Sequence, residues 1–264
     1  MISPELIRKF KKYYNYHIGR PFVVKPSIPI IYFGDEVAYR ESLIKVVTVG
    51  LNPSDIEFKE GSKPYSTALR FPSYSKSAGT DQDLVKALNE YFYKSNNPYR
   101  WFDCYEPLLN GMNSSYSQKF NNTALHTDIC SPIATNPTWS DLQHFEKNAL
   151  MNNSPEIPGG IQLWAELIEE LVPDFILMSV RREYLERYLA SGYVKLIGRS
   201  IFDSLKNKSN GEPRKRPYNI EINEILLNSG KKSRIVFGRS NIKPFMDLSD
   251  EVKKSLGSRI INNL

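Results

Sequence analysis

A chain of 264 residues, 41% hydrophobic and 24% charged, has ordinary globular composition, which excludes disordered and fibrous classes, and its length suits one domain spanning residues 1–264. No apolar run approaches the roughly 20 residues that cross a bilayer, and charges fall where a signal peptide is apolar, so a cytoplasmic monomer without membrane contact or an obligate protein partner is expected. Cys104 and Cys130 are too few for a disulfide framework or a four-cysteine metal site, and a formal charge of +6 fits an anionic partner or a solvated basic surface about equally.

Residues 1–44 read as an N-terminal cover. Its stretch from Arg20 to Asp35 carries Pro21, Pro26 and Pro29 among β-branched residues, which predicts an irregular edge hairpin, because proline cannot donate to a central ladder. Residues 45–264 read as the core. Compact apolar runs bounded by turn signals predict strands at Val46 to Val49, Ala124 to Ile129, Asp174 to Ser179 and Arg234 to Phe237. Helical periodicity predicts helices at Leu84 to Tyr93, Ile161 to Leu171 (ended by Pro173), Arg182 to Leu189 and Leu248 to Ile261.

Between Arg199 and Pro217 the chain turns polar, with Asn207, Ser209, Asn210, Gly211 and Pro213 close together, which predicts an exposed loop. The loop is basic, and Lys206, Lys208, Arg214, Lys215 and Arg216 place much of the positive excess there. Strands alternating with helices predict an α/β fold, a three-layer α/β/α sandwich around a central four-stranded, mostly parallel sheet. In such sheets ligands bind beyond the carboxyl ends of the strands.

After the first strand comes Gly50-Leu51-Asn52-Pro53-Ser54. Glycine permits a tight turn and proline fixes the exit, so the Asn52 side chain is held in place; a plain strand-to-helix turn would use the same residues. The second strand ends in Leu125-His126-Thr127-Asp128, with His126 on the face opposite Thr127. The last strand is followed by Gly238-Arg239-Ser240-Asn241-Ile242-Lys243-Pro244-Phe245.

In that order, these segments resemble motifs of the uracil-DNA glycosylase superfamily, over roughly residues 45 to 260 and especially its mismatch-specific and single-strand-selective branches. The resemblance implies a DNA glycosylase that flips a pyrimidine out of DNA and hydrolyses its N-glycosidic bond, in repair or in anti-phage defence, without a metal or other cofactor. It implies that Asn52 positions the attacking water, with Gly50 and Pro53 beside the base. It implies that Phe71 in Ala68-Leu69-Arg70-Phe71 stacks on the base, with Phe58, Tyr65 and Tyr74 as competitors. Asp128, or Thr127 if the register slips by one, would read the base edge and is counted with Asn52 in the catalytic pair.

In the final loop, Arg239 and Lys243 would hold phosphates, Ile242, Phe245 or Met246 would wedge into the gap left by the flipped base, and Ser240 or Asn241 would replace a histidine the family commonly has there. Where the family has an asparagine on the central strand this chain has Asp128. An ionised carboxylate only accepts hydrogen bonds, which favours a cytosine-type base over uracil, although Asp128 capping the following turn is an equal reading. Two rival readings remain open: a non-catalytic DNA-binding module of the same fold, and a phosphate- or nucleotide-binding α/β domain.

Overall fold

The computed structural model describes all residues except 118, 209, 210, 240 to 242 and 264. Besides a short parallel pair, Ser114–Ser115 with Asn122–Thr123, its strands in chain order are β1 (Val46–Gly50), β2 (Leu125–Asp128), β3 (Phe175–Met178), β4 (Val194–Asn207), β5 (Pro213–Leu227) and β6 (Lys232–Gly238). They form one sheet in the order β2-β1-β3-β6-β5-β4. Strand β3 runs parallel to β1 and to β6, while β5 is antiparallel to β6 and β4 to β5. The helices used below are α1 (Pro4–His17), α2 (Asp81–Asn89), α3 (Glu106–Gly111), α4 (Gly160–Leu171), α5 (Arg182–Leu189) and α6 (Asp250–Asn263). Among the described residues no helix is long and apolar enough to cross a membrane.

The four apolar runs are all strands, and β1, β2 and β3 are buried at every position, as strands covered on both faces require. The sheet nonetheless has six strands rather than four. The segment expected to be a basic loop, residues 199–217, lies in the long β4–β5 hairpin. Nearly all of β4 faces solvent, and backbone pairing to β5 holds it without an apolar run, so its polar composition is that of an edge ribbon. Of the turn-forming residues, Asn207 ends β4 and Pro213 begins β5, while Ser209 and Asn210 lie outside the described residues. Register shifts at Leu196/Gly198, Ile201/Asp203 and Leu205/Asn207 are the irregularities that twist an edge strand away from further pairing.

The edge hairpin expected between Arg20 and Asp35 is also replaced. That segment pairs with the chain around and beyond β2: Phe33 exchanges backbone hydrogen bonds with His126, Ile30 N donates to Pro132 O, and Val24 N donates to Ala134 O. Three prolines leave it enough donors for scattered bonds but not for a ladder of its own.

The chain divides into two compact units, one comprising Met1–Val37, Gly50–Tyr99 and His126–Leu171, the other Ala38–Val49, Arg100–Leu125 and Val172–Leu264. In the first unit α1 begins at Ser3, whose Oγ accepts from Leu6 N at 3.2 Å as an N-cap should. Lys9 of α1 reaches Glu166 of α4 at 2.9 Å. Helix α4 covers one face of β2, where Trp164 Nε1 donates to Thr127 Oγ1 at 2.9 Å. Its first residue, Gly160, approaches the strand end so closely that a Cβ would lie 1.9 Å from Cys130 O.

In the second unit β1 is tied to its cover by Tyr105, whose hydroxyl donates to Val49 O at 2.8 Å, and by Tyr116, hydrogen bonded to Thr48 Oγ1 at 2.6 Å. Helices α3 and α6 cross backbone to backbone. A Cβ on Gly111 would sit 2.0 Å from Lys254 O, and one on Gly257 would sit 2.2 Å from Leu108 O. Neither neighbour is a flexible side-chain tip, so the helices would have to move apart. Gly257→Ala should therefore cost about 1–3 kcal/mol despite alanine's better helix propensity, measured as a lower urea midpoint at unchanged slope. An unchanged or raised midpoint contradicts the close crossing.

Candidate functional site

Strand β1 ends at Gly50, which is not among the glycines with positive φ. What demands glycine is proximity: a Cβ there would lie 2.4 Å from Asp128 Oδ1 and 2.9 Å from His126 Nε2. The turn role expected of Gly50 is thus replaced by a close-approach role. The chains leaving β1 and β2 stay side by side, with Ile129 N donating to Gly50 O at 3.1 Å and Cys130 N to Leu51 O at 2.9 Å.

Asn52 follows immediately, half-buried. Its Nδ2 lies within hydrogen-bond distance of three acceptors: Pro53 O at 3.0 Å, Ile133 O at 3.1 Å and Thr135 Oγ1 at 3.0 Å. Thr135 is itself fixed by bridges to Val23 and Ser54. The amide donor is therefore fully engaged, and Oδ1 has no hydrogen-bond partner among the described residues. Asn52 is a side chain held by its nitrogen that presents its oxygen. Buried Pro53 sets the exit, and Ser54 Oγ accepts from Ile56 N at 3.3 Å to start a single 3-10 turn, Asp55–Phe58.

His126 and Asp128 share the opposite face of β2 from Thr127, as strand alternation requires. Thr127 is turned to the other face, where its hydroxyl accepts from Trp164 Nε1, away from His126 and Asp128. His126 Nε2 lies 3.7 Å from Asp128 Oδ1, and both side chains are nearly inaccessible. Burial pushes the Asp128 carboxyl above the usual range, and the neighbouring imidazole offsets part of that. No backbone N–H among the described residues bonds the Asp128 carboxylate, contrary to a turn-capping role.

Phe71 does not offer a face to a ligand. It is completely buried, with Phe58 stacked at 5.6 Å on one side and Tyr91 at 5.5 Å on another. The aromatic layer continues through Phe33, 4.6 Å from Tyr91 and 5.8 Å from His126. Phe71 is core, the commoner fate of a single phenylalanine. Of the competing aromatics, Tyr65 stands nearest the Asn52 anchor in bonding terms: its hydroxyl accepts from Asn136 Nδ2 at 2.7 Å, one residue beyond Thr135, and the ring is half-exposed.

The same layer contains a group that the sequence did not mark. Glu57, in the 3-10 turn, is buried to 2% exposure. Tyr91 donates to its Oε2 at 2.5 Å, and Arg70 Nε lies 3.8 Å away. Burial pushes the Glu57 carboxyl up to about 7, against the opposing pull of Tyr91 and Arg70 and with a further push from Asp128. A guanidinium beyond hydrogen-bond distance does not compensate fully for lost hydration. In Asp55-Ile56-Glu57-Phe58 no spacing separates this carboxylate from the half-buried Asp55, because its partners come from residues 70 and 91.

The final loop belongs to the other unit. Arg239 and Lys243 are exposed, and Ser240, Asn241 and Ile242 lie outside the described residues. Phe245 is not a wedge. It is fully buried, its N–H donates to Ser179 Oγ at 3.0 Å, and its ring lies where a Cβ on Gly238 would be, 2.3 Å away. Its φ of 49° is rare for an aromatic residue and is held by those contacts. Met246, 43% exposed, is the apolar side chain that the described part of the loop presents.

No family model, curated protein or solved structure matches this chain.

Glu57 gives a pH signature of its own. Its folded-state value is raised to about 7, so its contribution to stability is complete below the ordinary carboxylate range and is lost as pH rises through about 7. Glu57→Gln keeps an acceptor for Tyr91 and removes the charge. It should gain on wild type between pH 5 and pH 8, by up to about 3 kcal/mol, in parallel urea melts. A difference that stays constant across this range contradicts the buried, titrating carboxylate.

Proposed function

We propose that the chain is a DNA glycosylase of the uracil-DNA glycosylase type, built as an α/β/α sandwich, which hydrolyses the N-glycosidic bond of a flipped pyrimidine. The observation that carries this reading is the placement of Asn52. An asparagine held by its nitrogen and presenting its oxygen, two residues beyond a glycine that packs against a buried carboxylate, is arranged to orient a neutral nucleophile beside a polar base edge. A residue serving only the turn would not need three acceptors drawn from two segments.

In this mechanism the target nucleotide leaves the stack, at a cost of about a few kcal/mol that stacking and edge hydrogen bonds offset. Tyr65 takes the stacking role that the resemblance gives to Phe71. Asn52 Oδ1 accepts a hydrogen bond from the water and aims its oxygen at C1′, a positioning effect, since an amide is a poor general base. As the bond breaks, charge accumulates on the base and is met by placed donors. Glu57, titrating near neutrality within the electrostatic reach of Asp128, is the group able to hold or release a proton there.

Asp128 governs base choice through its own proton. Ionised, it accepts from the amino group of a cytosine-type base; protonated, it also donates, as O4 of uracil requires. Burial raises the fraction protonated, so acidification shifts recognition toward uracil.

Replacing Asn52 by alanine should lower single-turnover excision by about 10²-fold or more while oligonucleotide affinity changes less than about twofold, because water positioning matters only in the chemical step. Wild-type excision by this variant overturns the assignment. Undetectable excision by wild type itself, with DNA still bound, favours the non-catalytic DNA-binding module.

A further inference from the structure

Within the second unit a pocket of about 380 Å³ is lined by Val180, Arg181 and Arg182 beyond β3, Phe237 and Arg239 at the end of β6, and Pro217, Asn219 and Glu221 of β5. Three guanidiniums face one carboxylate. Glu221 is already neutralised by an ion pair with Arg182, whose guanidinium also lies 5.0 Å over the Phe237 ring. Arg239 lies 5.4 Å over the Tyr218 ring and 3.4 Å from Asp247 while remaining half exposed. Arg181 is the least committed, with Glu183 4.0 Å away and its side chain 74% exposed. Asn219 Oδ1 accepts from Ser204 at 2.9 Å, which leaves its amide N–H groups for another acceptor.

Stacked guanidiniums are held in place at little further entropy cost, and such forks match the oxygens of a phosphate. The pocket is also continuous with the hairpin. Beyond Pro217, β5 carries Arg214, Lys215 and Arg216, and β4 carries Lys206 across from them; Lys208, at the tip, is paired with Glu212.

We infer that this pocket binds a backbone phosphate of single-stranded nucleic acid through Arg181, Arg239 and the Asn219 amide, and that the basic end of the β4–β5 hairpin continues the track for neighbouring phosphates. The inference rests on the reading that the partner is nucleic acid. It adds Arg181, Asn219 and the hairpin to the Arg239 contact, and it needs no chemistry at Asn52.

The test uses the full chain and a labelled single-stranded thymidine oligonucleotide without any excisable base, so failure of the glycosylase reading leaves it unaffected. Anisotropy titrations over a salt series compare wild type, Arg181→Ala/Arg239→Gln, and a pair of exposed lysines of the first unit, Lys76→Ala/Lys94→Ala. Both arginines are more than half exposed, and a melt verifies that each variant is folded. The arginine variant should bind at least about tenfold more weakly, and its slope of log affinity against log salt should shrink by about 0.7 for each phosphate that is no longer neutralised. The lysine pair should stay within about twofold of wild type. Equal losses in both variants mean that net charge alone drives binding and overturn the pocket. A wild type stabilised by inorganic phosphate through the same arginines but without oligonucleotide affinity overturns the nucleic-acid assignment.

Discussion

Gly50 ends β1 without a side chain, and Asp128 Oδ1 lies 2.4 Å from the place a Cβ would occupy. That vacancy lets the carboxylate lie against the backbone of the neighbouring strand, with His126 Nε2 3.7 Å away. It also sets the path of the next residues. Leu51 O accepts from Cys130 N and Ser131 N, so the chain carrying Asn52 is bound to the segment carrying Ile133 and Thr135, which in turn anchor the asparagine amide. A larger residue at position 50 would displace the acid, the histidine and the path to Asn52 together.

Around this point the first unit concentrates groups that are costly to bury. Glu57, Arg70, His126 and Asp128 are all below 9% exposure, and the cost of burying a charge without full pairing is several kcal/mol. The surrounding aromatic layer of Phe33, Phe58, Phe71 and Tyr91 supplies apolar contact that offsets part of it. It also lowers the local dielectric that raises both carboxyl groups. Asp128 adds to the rise that burial imposes on Glu57, which favours the proton resting on Glu57 at neutral pH. An arrangement with only a packing role would be served by apolar side chains of similar volume.

Much of the fold was legible because its signals are local. Buried strands read as short apolar runs, and the helix at Arg182–Leu189 matched its periodicity to the residue. The β4–β5 ribbon escaped because pairing, not hydrophobicity, holds an exposed edge strand. At the site, Asn52 and Asp128 were legible as polar residues at strand ends, and His126 was placed correctly by the two-residue period. Phe71 and Phe245 were not, since nothing in a sequence separates an aromatic that stacks on a ligand from one stacked on Phe58 or packed against Gly238. Glu57 was invisible for the complementary reason: burial raises its proton affinity and Asp128 adds to it, while Tyr91 and Arg70 oppose the rise, and these three partners are all distant in the chain.

The central claim is that a carboxylate beside Gly50 reads a flipped base next to a water held by Asn52. Its most direct measurement is the release of uracil and of cytosine-type bases, including modified cytosines, from one single-stranded sequence, scored as abasic sites for wild type and Asp128→Asn. Wild type should prefer the cytosine-type base at pH 8 and move toward uracil as the pH falls and Asp128 takes up its proton. Asp128→Asn should favour uracil by about tenfold or more relative to wild type, for one recovered hydrogen bond, and should lose the pH dependence of the ratio. A ratio identical in both proteins at every pH, or no abasic sites on any of these bases, would contradict the account.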